Sequence, residues 1–357
     1  MQAKEIIFII NSLGGKGWGG AHRVVSILAN YYAKNNYAVS IVVWRDSTVD
    51  YPLSDKIKIE WLHCDFNRNA DMLKPCIKTR RYLKHHSGAY VYVFMSTLAV
   101  FVWMATRGLN VNIIASERTD PRKEPHNKAF RFLRNHVFGL MYKTVYQTPD
   151  AMNYFPKAAQ KNGCVIPNPV TPNLPNRYTG KRKKEFITFC RIDKQKNLPM
   201  MIDAFCEVHK KYPDYILRIY GKGNNEDEIK KYIWKKGMSS SIIMEGFRKD
   251  IHSEIIDAYA FLSSSDYEGL SNSMLEALAI GLPCICTDCP IGGARMIITN
   301  RKNGILVPIG DSKAMADAMV DLIENPEKAE SISIEAEKIR LSLDENAICK
   351  RFEALTK

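Results

Sequence analysis

The apolar residues of the chain fall into short runs that alternate with segments of helical pattern. In the first half, strands are predicted over 6–10, 39–44, 57–62, 91–95, 111–115, 144–147 and 165–166, and helices over 21–34, 71–85, 98–105 and 126–141. Strands that alternate with helices in this way form right-handed βαβ units around a parallel sheet. The first half is therefore predicted to be an α/β domain.

A proline-rich segment interrupts this alternation. Pro167-Asn168-Pro169, Pro172 and Pro175 are followed by a basic run over 181–184, which is typical of a linker. A second alternation follows, with strands predicted over 186–190, 215–220, 242–245, 261–264, 284–287 and 305–307, and helices over 198–212, 226–236, 251–259, 274–280, 312–323, 326–341 and 344–355. We therefore predict two doubly wound α/β domains, over residues 1–175 and 176–341, with a ligand in the cleft between them. Residues 342–357 form a final helix in this prediction.

Composition adds the class of protein to this picture. The chain has 357 residues, 46% hydrophobic and 25% charged, as expected for a globular protein of about two domains. Its nine scattered cysteines and the lack of a signal-peptide pattern indicate a reducing cytosol. An uncharged stretch over 89–106 is long enough to span a membrane. Its β-branched first part, its Ser-Thr interruption and its helical second part favour a buried strand followed by an apolar helix.

Positive charge is concentrated in the first half. Residues 1–175 carry 23 Lys and Arg against 11 Asp and Glu, whereas residues 176–357 carry 28 against 27. Such asymmetry usually serves an anionic partner: a membrane, a nucleic acid or a phosphorylated substrate. The predicted helices over 71–85 and 126–141 combine basic and apolar residues, with Phe130, Leu133 and Val137 beside Lys128, Arg131 and Arg134 in the second. This pattern favours contact with an anionic bilayer, with a solvated basic face as the alternative.

The most informative segment is Glu268-Gly-Leu-Ser-Asn-Ser-Met-Leu-Glu276. It follows an apolar run over 261–265 and opens an apolar helix, so it is predicted to be a strand, a turn and a helix N-terminus. Backbone N–H groups at such an N-terminus bind anions, and the two carboxylates are acceptors for pairs of hydroxyls. A ligand with both phosphate and sugar hydroxyls, a nucleotide-sugar, fits best. In the alternative interpretation, Ser273 and Glu276 form a capping box, which leaves Glu268 unexplained.

Two further segments carry candidate chemistry. Arg191-Ile-Asp-Lys-Gln-Lys196 follows the first strand of the second domain, where ligands of α/β sheets bind. Its Arg and Lys could stabilise the charge that builds on a leaving diphosphate. Near the N-terminus, the glycine-rich loop over 14–20 precedes a helix and would let a ligand approach the backbone closely. No Asp-x-Asp motif occurs in the sequence, so we expect no metal.

These residues together resemble the GT-B-fold retaining glycosyltransferases of family four, also called group 1. The second half has E-G-x-x-x-x-x-x-E, R-x-D-x-x-K-N and A-x-G-x-P in the family's order. In the first half, Gly19-Gly20-Ala21-His22-Arg23 resembles the family's Gly-Gly-Ala-Glu-Arg, and Ser116-Glu117-Arg118 its Ser-Glu-His. The fold implied is GT-B, with two Rossmann-like domains and a last helix that crosses back to the first domain.

The resemblance also implies roles for individual residues. Glu276 would bind the ribose hydroxyls, Glu268 would face the donor sugar, and Arg191 and Lys196 would hold the diphosphate, so that Glu268, Arg191 and Lys196 form the catalytic group. The remaining donor-binding residues would be Gly269, Leu270, Ser271, Asn272, Gly15, Asn168 and Phe247. The acceptor side would include Gly19, Gly20, His22, Glu117 and Arg118, of which His22 and Arg118 depart from the family pattern.

The expected function is transfer of a hexose or N-acetylhexosamine from a UDP-sugar to a lipid- or polysaccharide-linked sugar, with retention and without a metal or other cofactor. The expected location is the cytoplasm, on the inner face of the cell membrane, where an anionic surface is the partner. One alternative keeps the fold and makes the protein a nucleotide-sugar epimerase. A second alternative is a nucleic-acid-binding module; Glu268 and Glu276 would repel a nucleic acid, so we expect none to bind.

Overall fold

The computed structural model describes residues 4–15, 20–64 and 72–357. The chain divides into two compact units. Unit 1 comprises Met1–Pro169 and Glu345–Lys357, and unit 2 comprises Val170–Asp344. The first division lies within the proline-rich segment, ahead of the boundary predicted after residue 175, and the second lies close to the predicted start of the last helix at residue 342.

Unit 1 contains a seven-stranded parallel sheet. Its strands are β1 (Glu5–Ile10), β2 (Ala38–Val43), β3 (Lys58–Trp61), β4 (Tyr90–Phe94), β5 (Asn112–Ser116), β6 (Lys143–Tyr146) and β7 (Gly163–Val165). Their order is β3-β2-β1-β4-β5-β6-β7. Ile6 to Ile10 of β1 are all buried because helices cover both faces of a sheet of this kind. The order reverses between β1 and β4, and ligands of doubly wound sheets bind beyond the carboxyl ends at such a point.

The helices of unit 1 follow the predicted pattern, with two additions. They are α1 (Gly20–Lys34), α2 (Leu73–Leu83), α3 (Ser96–Ala105), α4 (Lys128–Phe138), α5 (Pro149–Tyr154) and α6 (Lys157–Lys161). The prediction missed α5 and α6, which are too short to show a helical period. The local signal for α5 is a cap, since the Thr148 hydroxyl accepts from the Ala151 N–H at 3.0 Å and Pro149 follows it directly.

The uncharged stretch over 89–106 forms β4 and α3, as its texture predicted. Within the described residues, no helix has the length and apolar character needed to cross a membrane.

Unit 2 contains a six-stranded parallel sheet of order β10-β9-β8-β11-β12-β13. Its strands are β8 (Glu185–Phe189), β9 (Ile216–Tyr220), β10 (Ile242–Gly246), β11 (Ala260–Ser263), β12 (Cys284–Thr287) and β13 (Ile305–Val307). Its helices are α7 (Leu198–Lys211), α8 (Glu226–Lys235), α9 (Ile251–Ile255), α10 (Asn272–Ala279), α11 (Gly293–Ile297), α12 (Ser312–Glu324), α13 (Pro326–Glu337) and α14 (Ile339–Ser342). The single helix predicted over 326–341 is divided at Lys338 into α13 and α14. The strand order reverses between β8 and β11, whose carboxyl ends are therefore adjacent.

The last helix, α15 (Glu345–Glu353), belongs to unit 1. The Tyr92 hydroxyl of β4 donates to the Phe352 carbonyl at 2.8 Å, and the Phe352 side chain is fully buried. Arg351 donates to the Val165 carbonyl at 2.6 Å, and Glu353 accepts from the Tyr37 hydroxyl at 2.8 Å. The chain thus returns to the first unit, as the resemblance implied.

Candidate functional site

The loops that follow β8 and β11 are joined by hydrogen bonds at the reversal point of unit 2. The Asp266 N–H donates to the Gln195 carbonyl at 2.9 Å, and the Ser264 hydroxyl donates to the Lys196 carbonyl at 2.8 Å. Asn197 donates to the Asp266 carboxylate at 2.7 Å. The loop after β8 continues into a short 3₁₀ turn, Lys194–Lys196. These bonds fix the turn against the β11 loop and bring Lys196 to Glu268.

Glu268 and Lys196 form an ion pair at the centre of these two loops. The Glu268 carboxylate also accepts from the Gln195 amide at 3.2 Å and from the Ser265 hydroxyl at 3.1 Å. Both charged side chains are largely shielded, with 16% and 14% of their surface exposed. Burial of the ammonium is the largest single influence and opposes its charge, but Glu268 and the other nearby groups together outweigh it, so the pKa of Lys196 is raised. The pair is thus a fixed and polar feature of the site.

Arg191 lies apart from this pair. Its guanidinium binds the Asp193 carboxylate two residues along, and 54% of its side chain is exposed. The structure therefore brings together two of the three predicted catalytic residues, Lys196 and Glu268. Arg191 is at the same strand end with a more exposed side chain.

The segment from Gly269 to Asn272 forms the entry to α10. Ser271 is the cap residue, and its hydroxyl accepts from the Met274 N–H at 3.4 Å. The carbonyl of Gly269 lies so close to Gly293 that a Cβ built on Gly293 would be 1.9 Å from it. Glycine at 293 is therefore needed for the loop after β12 to pack against the Gly269 turn.

The capping-box interpretation of Glu276 is wrong. Because Ser271 caps α10, Ser273 lies inside the helix and cannot act as the cap partner of Glu276. The Glu276 carboxylate instead accepts from the His252 ring at 2.8 Å and from the Thr171 hydroxyl at 3.4 Å. Only 5% of the Glu276 surface is exposed. Two neighbours thus hold a buried carboxylate in one orientation, which suits recognition of a ligand.

The first-unit residues Glu117 and Arg118 have different environments. Glu117 is buried and forms an ion pair with the buried Arg134 at 3.2 Å. Its other oxygen accepts from the Arg118 N–H at 3.1 Å and the Thr119 N–H at 3.3 Å. Burial raises the pKa of Glu117 while Arg134 opposes the rise. Both carboxylate oxygens of Glu117 are therefore bound by groups of unit 1. The sequence had predicted that Glu117 lies on the acceptor side.

Arg118 and Asn168 are in direct contact. The Arg118 Nη1 donates to the Asn168 Oδ1 at 2.6 Å, and the same oxygen accepts from the Gln147 amide at 2.9 Å. Asn168, predicted to bind the donor, thus uses its carbonyl oxygen to position the arginine. The Arg118 guanidinium stacks on the Phe94 ring at 4.7 Å.

The remaining predicted site residues lie at loop ends. The Gly15 N–H donates to the Asp50 carboxylate at 3.0 Å, and Gly20 is the first residue of α1. His22 contacts the Ser12 hydroxyl at 3.3 Å, and burial lowers its pKa against the influence of Asp50. Phe247 follows β10 and is partly exposed. Gly19 lies outside the described residues.

Sequence reasoning missed the residues that support the site. Gln195 and Ser265 bind Glu268, and His252 and Thr171 bind Glu276. Gln195 and Ser265 carried a signal, since each sits in the loop directly after a predicted strand whose carboxyl end faces ligands. His252 and Thr171 carried none, because their contact with Glu276 depends on packing between distant segments.

The basic surface of unit 1 also differs from the prediction. Arg134 and Val137 are buried, and Phe130 packs on Phe101 at 5.5 Å, so none of the three forms an exposed stripe. The large exposed apolar residues of these two helices are instead Phe132 (79%) and Leu133 of α4 and Leu73 (74%) and Ile77 of α2. Helix α3 contacts both helices. We call these exposed residues, with the exposed cations Lys74, Arg81 and Lys128, the α2–α4 surface.

The sequence and the fold are similar to those of known glycosyltransferases. Residues 174–339 match the family described as glycosyl transferases group 1. An uncharacterized glycosyltransferase of Haemophilus influenzae is 24% identical over 98% of both chains. The amylovoran biosynthesis glycosyltransferase AmsD of Erwinia amylovora is 25% identical over 82% of this chain and 83% of its own.

Among solved structures, that of HepE from Anabaena in complex with UDP is similar over 98% of both chains, with a TM-score of 0.82 and 18% sequence identity. At this identity the likeness shows the fold alone. The fold and the matching motifs of unit 2 lead to one conclusion: the chain has the GT-B fold, and its residues 174–339 match the group 1 glycosyltransferases.

Proposed function

We propose that this glycosyltransferase moves a hexose or N-acetylhexosamine from a UDP-sugar to the hydroxyl of a lipid- or polysaccharide-linked sugar, with retention and without a metal. The observation that carries the proposal is the arrangement in unit 2, where Glu276 and the Glu268–Lys196 pair flank the start of α10. Similar proteins support the substrate classes, since HepE was solved with UDP and AmsD is an amylovoran biosynthesis glycosyltransferase.

In this proposal Glu276 accepts hydrogen bonds from both ribose hydroxyls of the donor. An ionised carboxylate has about four acceptor sites, and His252 and Thr171 hold that of Glu276 in place for the diol. Because Glu276 is nearly buried, its bonds to the ribose would form away from competing water. That raises their value relative to bonds made at the surface.

The donor diphosphate would bind where α10 begins, near Lys196 and Arg191. The first N–H groups of this eight-residue helix would add a preference for an anion. Each cation is already paired with a carboxylate, so a diphosphate must share or replace these partners. Charge builds on the diphosphate as it leaves, and positive groups fixed beside it stabilise that state more than the bound ground state.

Glu268 would face the donor sugar. Gln195, Ser265 and Lys196 hold its carboxylate from three directions and fix its position. A negative charge there can accept from sugar hydroxyls and can stabilise the positive charge that develops at the anomeric carbon. The leaving phosphate would then assist removal of the acceptor proton, as the family resemblance implies.

We also propose that unit 1 contacts the anionic inner face of the cell membrane through the α2–α4 surface. Phe132 and Leu73 are among the most exposed apolar residues of the described chain, and Lys74, Arg81 and Lys128 lie on the same helices. Apolar residues with basic neighbours insert into the interface of an anionic bilayer. A lipid-linked acceptor would be presented at that surface.

The experiment that tests the proposed reaction is an assay of the purified chain with a panel of UDP-sugars and lipid- or polysaccharide-linked acceptors. We expect a new glycosidic product whose anomeric configuration, read by NMR, matches that of the donor. Activity should persist in EDTA. Conversion of a UDP-sugar to its epimer without an acceptor would contradict the proposal in favour of an epimerase. Loss of activity in EDTA with recovery in Mn²⁺ would contradict the metal-independent mechanism.

A further inference from the structure

Arg118 has an unusual set of contacts at the carboxyl end of β5. Its Nη1 is bound to Asn168, while within the described part of the chain its Nε and Nη2 are buried and have no hydrogen-bond partner. Stacking on Phe94 at 4.7 Å and the Phe352 ring at 5.7 Å hold the guanidinium plane in place. A fixed arginine therefore has two donor nitrogens without a hydrogen bond among the described residues.

These two donors are the ones that recognise oxyanions. The Nε–H and Nη2–H bonds point in parallel from one edge of the guanidinium, and this edge matches the two oxygens of a carboxylate or phosphate. Arg134 shows the contrast in the same unit. Its Nη1 donates to Glu117 and its Nη2 to the Pro121 carbonyl at 2.8 Å. The guanidinium of Arg134 is therefore used in hydrogen bonds within the protein.

Among the residues that the structure describes, none forms an ion pair with Arg118. Its sequence neighbour Glu117 is engaged by Arg134 and by two backbone N–H groups. Burial lowers the pKa of Arg118 to about 9, against the influence of Glu117. At neutral pH a guanidinium keeps its proton, so the folded chain holds a shielded positive charge. Such a charge disfavours folding until an anion compensates it.

The start of α3 lies beside the same ring. Phe94 ends β4, and the next residue, Met95, is the cap position of the ten-residue helix α3. Among the described residues no side chain caps this helix, and its first turn contains no acidic residue. The Met95 N–H donates to the Ser116 carbonyl at 3.4 Å, which places the helix start next to the end of β5. Its N–H groups and dipole add a second attraction for an anion.

We propose that Arg118 and the first turn of α3 form a site for an oxyanion of the acceptor, so that the enzyme selects an acidic acceptor over a neutral one. The oxyanion is a carboxylate, as in a uronic acid, or a phosphate, as in a sugar phosphate. The proposal rests on the proposed function for the identity of the acceptor. It gives unit 1 an anion site of its own, in addition to the nucleotide site of unit 2.

The test uses glucuronate, inorganic phosphate and neutral glucose as probes, titrated by NMR into the full chain saturated with UDP. The parent should bind glucuronate and phosphate more tightly than glucose. Arg118→Gln should weaken both anions roughly 10- to 100-fold, the range for hydrogen bonds to a charged group. Arg118→Lys keeps the positive charge but loses the two parallel N–H groups of the guanidinium. Its affinity for both anions should lie between those of the parent and Arg118→Gln. Arg107→Gln removes an exposed arginine of the same unit, outside the α2–α4 surface, and should match the parent.

Folding and function controls separate the possible failures. Melting curves should show Arg118→Gln at or above the melting temperature of the parent, because the change removes a shielded charge. If that variant does not fold, the comparison of Arg118→Lys with the parent decides the outcome. Parent-like anion binding by a folded Arg118 variant would overturn the proposal. Anion binding seen without UDP and abolished by it would assign the anion to the nucleotide site. Failure of the parent to bind UDP would instead contradict the proposed function and leave the Arg118 result readable.

Discussion

The two units share the doubly wound design but differ in how they treat the cations at their strand ends. In unit 2, Lys196 is paired with Glu268 and Arg191 with Asp193. In unit 1, Arg134 is paired with Glu117. Arg118 instead contacts the Phe94 ring and the side-chain amide of Asn168. A cation with a carboxylate partner is held in place by the fold. A shielded cation without one is suited to a ligand that brings the charge.

This difference has an energetic meaning. Paired charges in unit 2 hold the site residues in place, which would lower the cost of organising them in the proposed reaction. Arg118 carries the desolvation cost of its charge in the free protein, and a bound anion would relieve that cost. The same residue type can therefore stabilise the fold at one position and select a ligand at another.

The largest expected effect lies in the buried pair of unit 1. Glu117→Gln or Arg134→Met leaves a buried charge without its partner and should reduce the free energy of unfolding by about 3–5 kcal/mol. Arg118→Gln changes the residue next to Glu117 but should leave the free energy of unfolding unchanged or raise it. Urea unfolding followed by circular dichroism measures all three. Equal losses for Arg118→Gln and Arg134→Met would remove the distinction between the two arginines.

The next effect concerns turnover. Lys196→Ala should reduce kcat on the order of 10²–10³, as for loss of one charge-stabilising donor, and Arg191→Ala should act in the same direction. Lys194→Ala is the matched control, since Lys194 is exposed in the same 3₁₀ turn. Initial rates at saturating donor give the comparison. A parent-like kcat for Lys196→Ala would show that this cation serves only to position Glu268.

The strands were predictable because their signal is local. The predicted ranges for β12 and β13 match the structure, and most others differ by one or two residues, since continuous apolar runs mark strands buried on both faces. The division of the last long helix at Lys338 was not predicted, because the sequence over 326–341 lacks a proline or glycine at that point.

The sequence identified two loops of the candidate site but not the contacts between them. The loops after β8 and β11 were identified from their polar residues, but the pairing of Lys196 with Glu268 joins positions far apart in sequence. Arg134 shows the opposite error. Its spacing on α4 suggested a surface cation, and only tertiary packing reveals that it compensates the buried Glu117.

A smaller effect is expected at the membrane. Lys74→Glu with Arg81→Glu should weaken binding to anionic liposomes, each cation contributing about 1 kcal/mol near the surface. Binding should also fall as salt screens the charges. A variant of unit 2, Lys210→Glu with Lys313→Glu, changes the charge equally and serves as control. Co-sedimentation measures the partitioning. Equal partitioning of both double variants at low salt would contradict a role for the α2–α4 surface.

The central claim is that unit 2 binds a uridine nucleotide through Glu276, and calorimetric titration of UDP tests it most directly. Glu276→Gln keeps the shape and removes the charge, so UDP affinity should fall by about 1.5–3 kcal/mol, the range for hydrogen bonds to a charged group. Glu327→Gln, an exposed change in the same unit, should bind UDP like the parent. A lowered melting temperature with unchanged UDP affinity in Glu276→Gln would contradict the account, because Glu276 would then serve only to stabilise the fold.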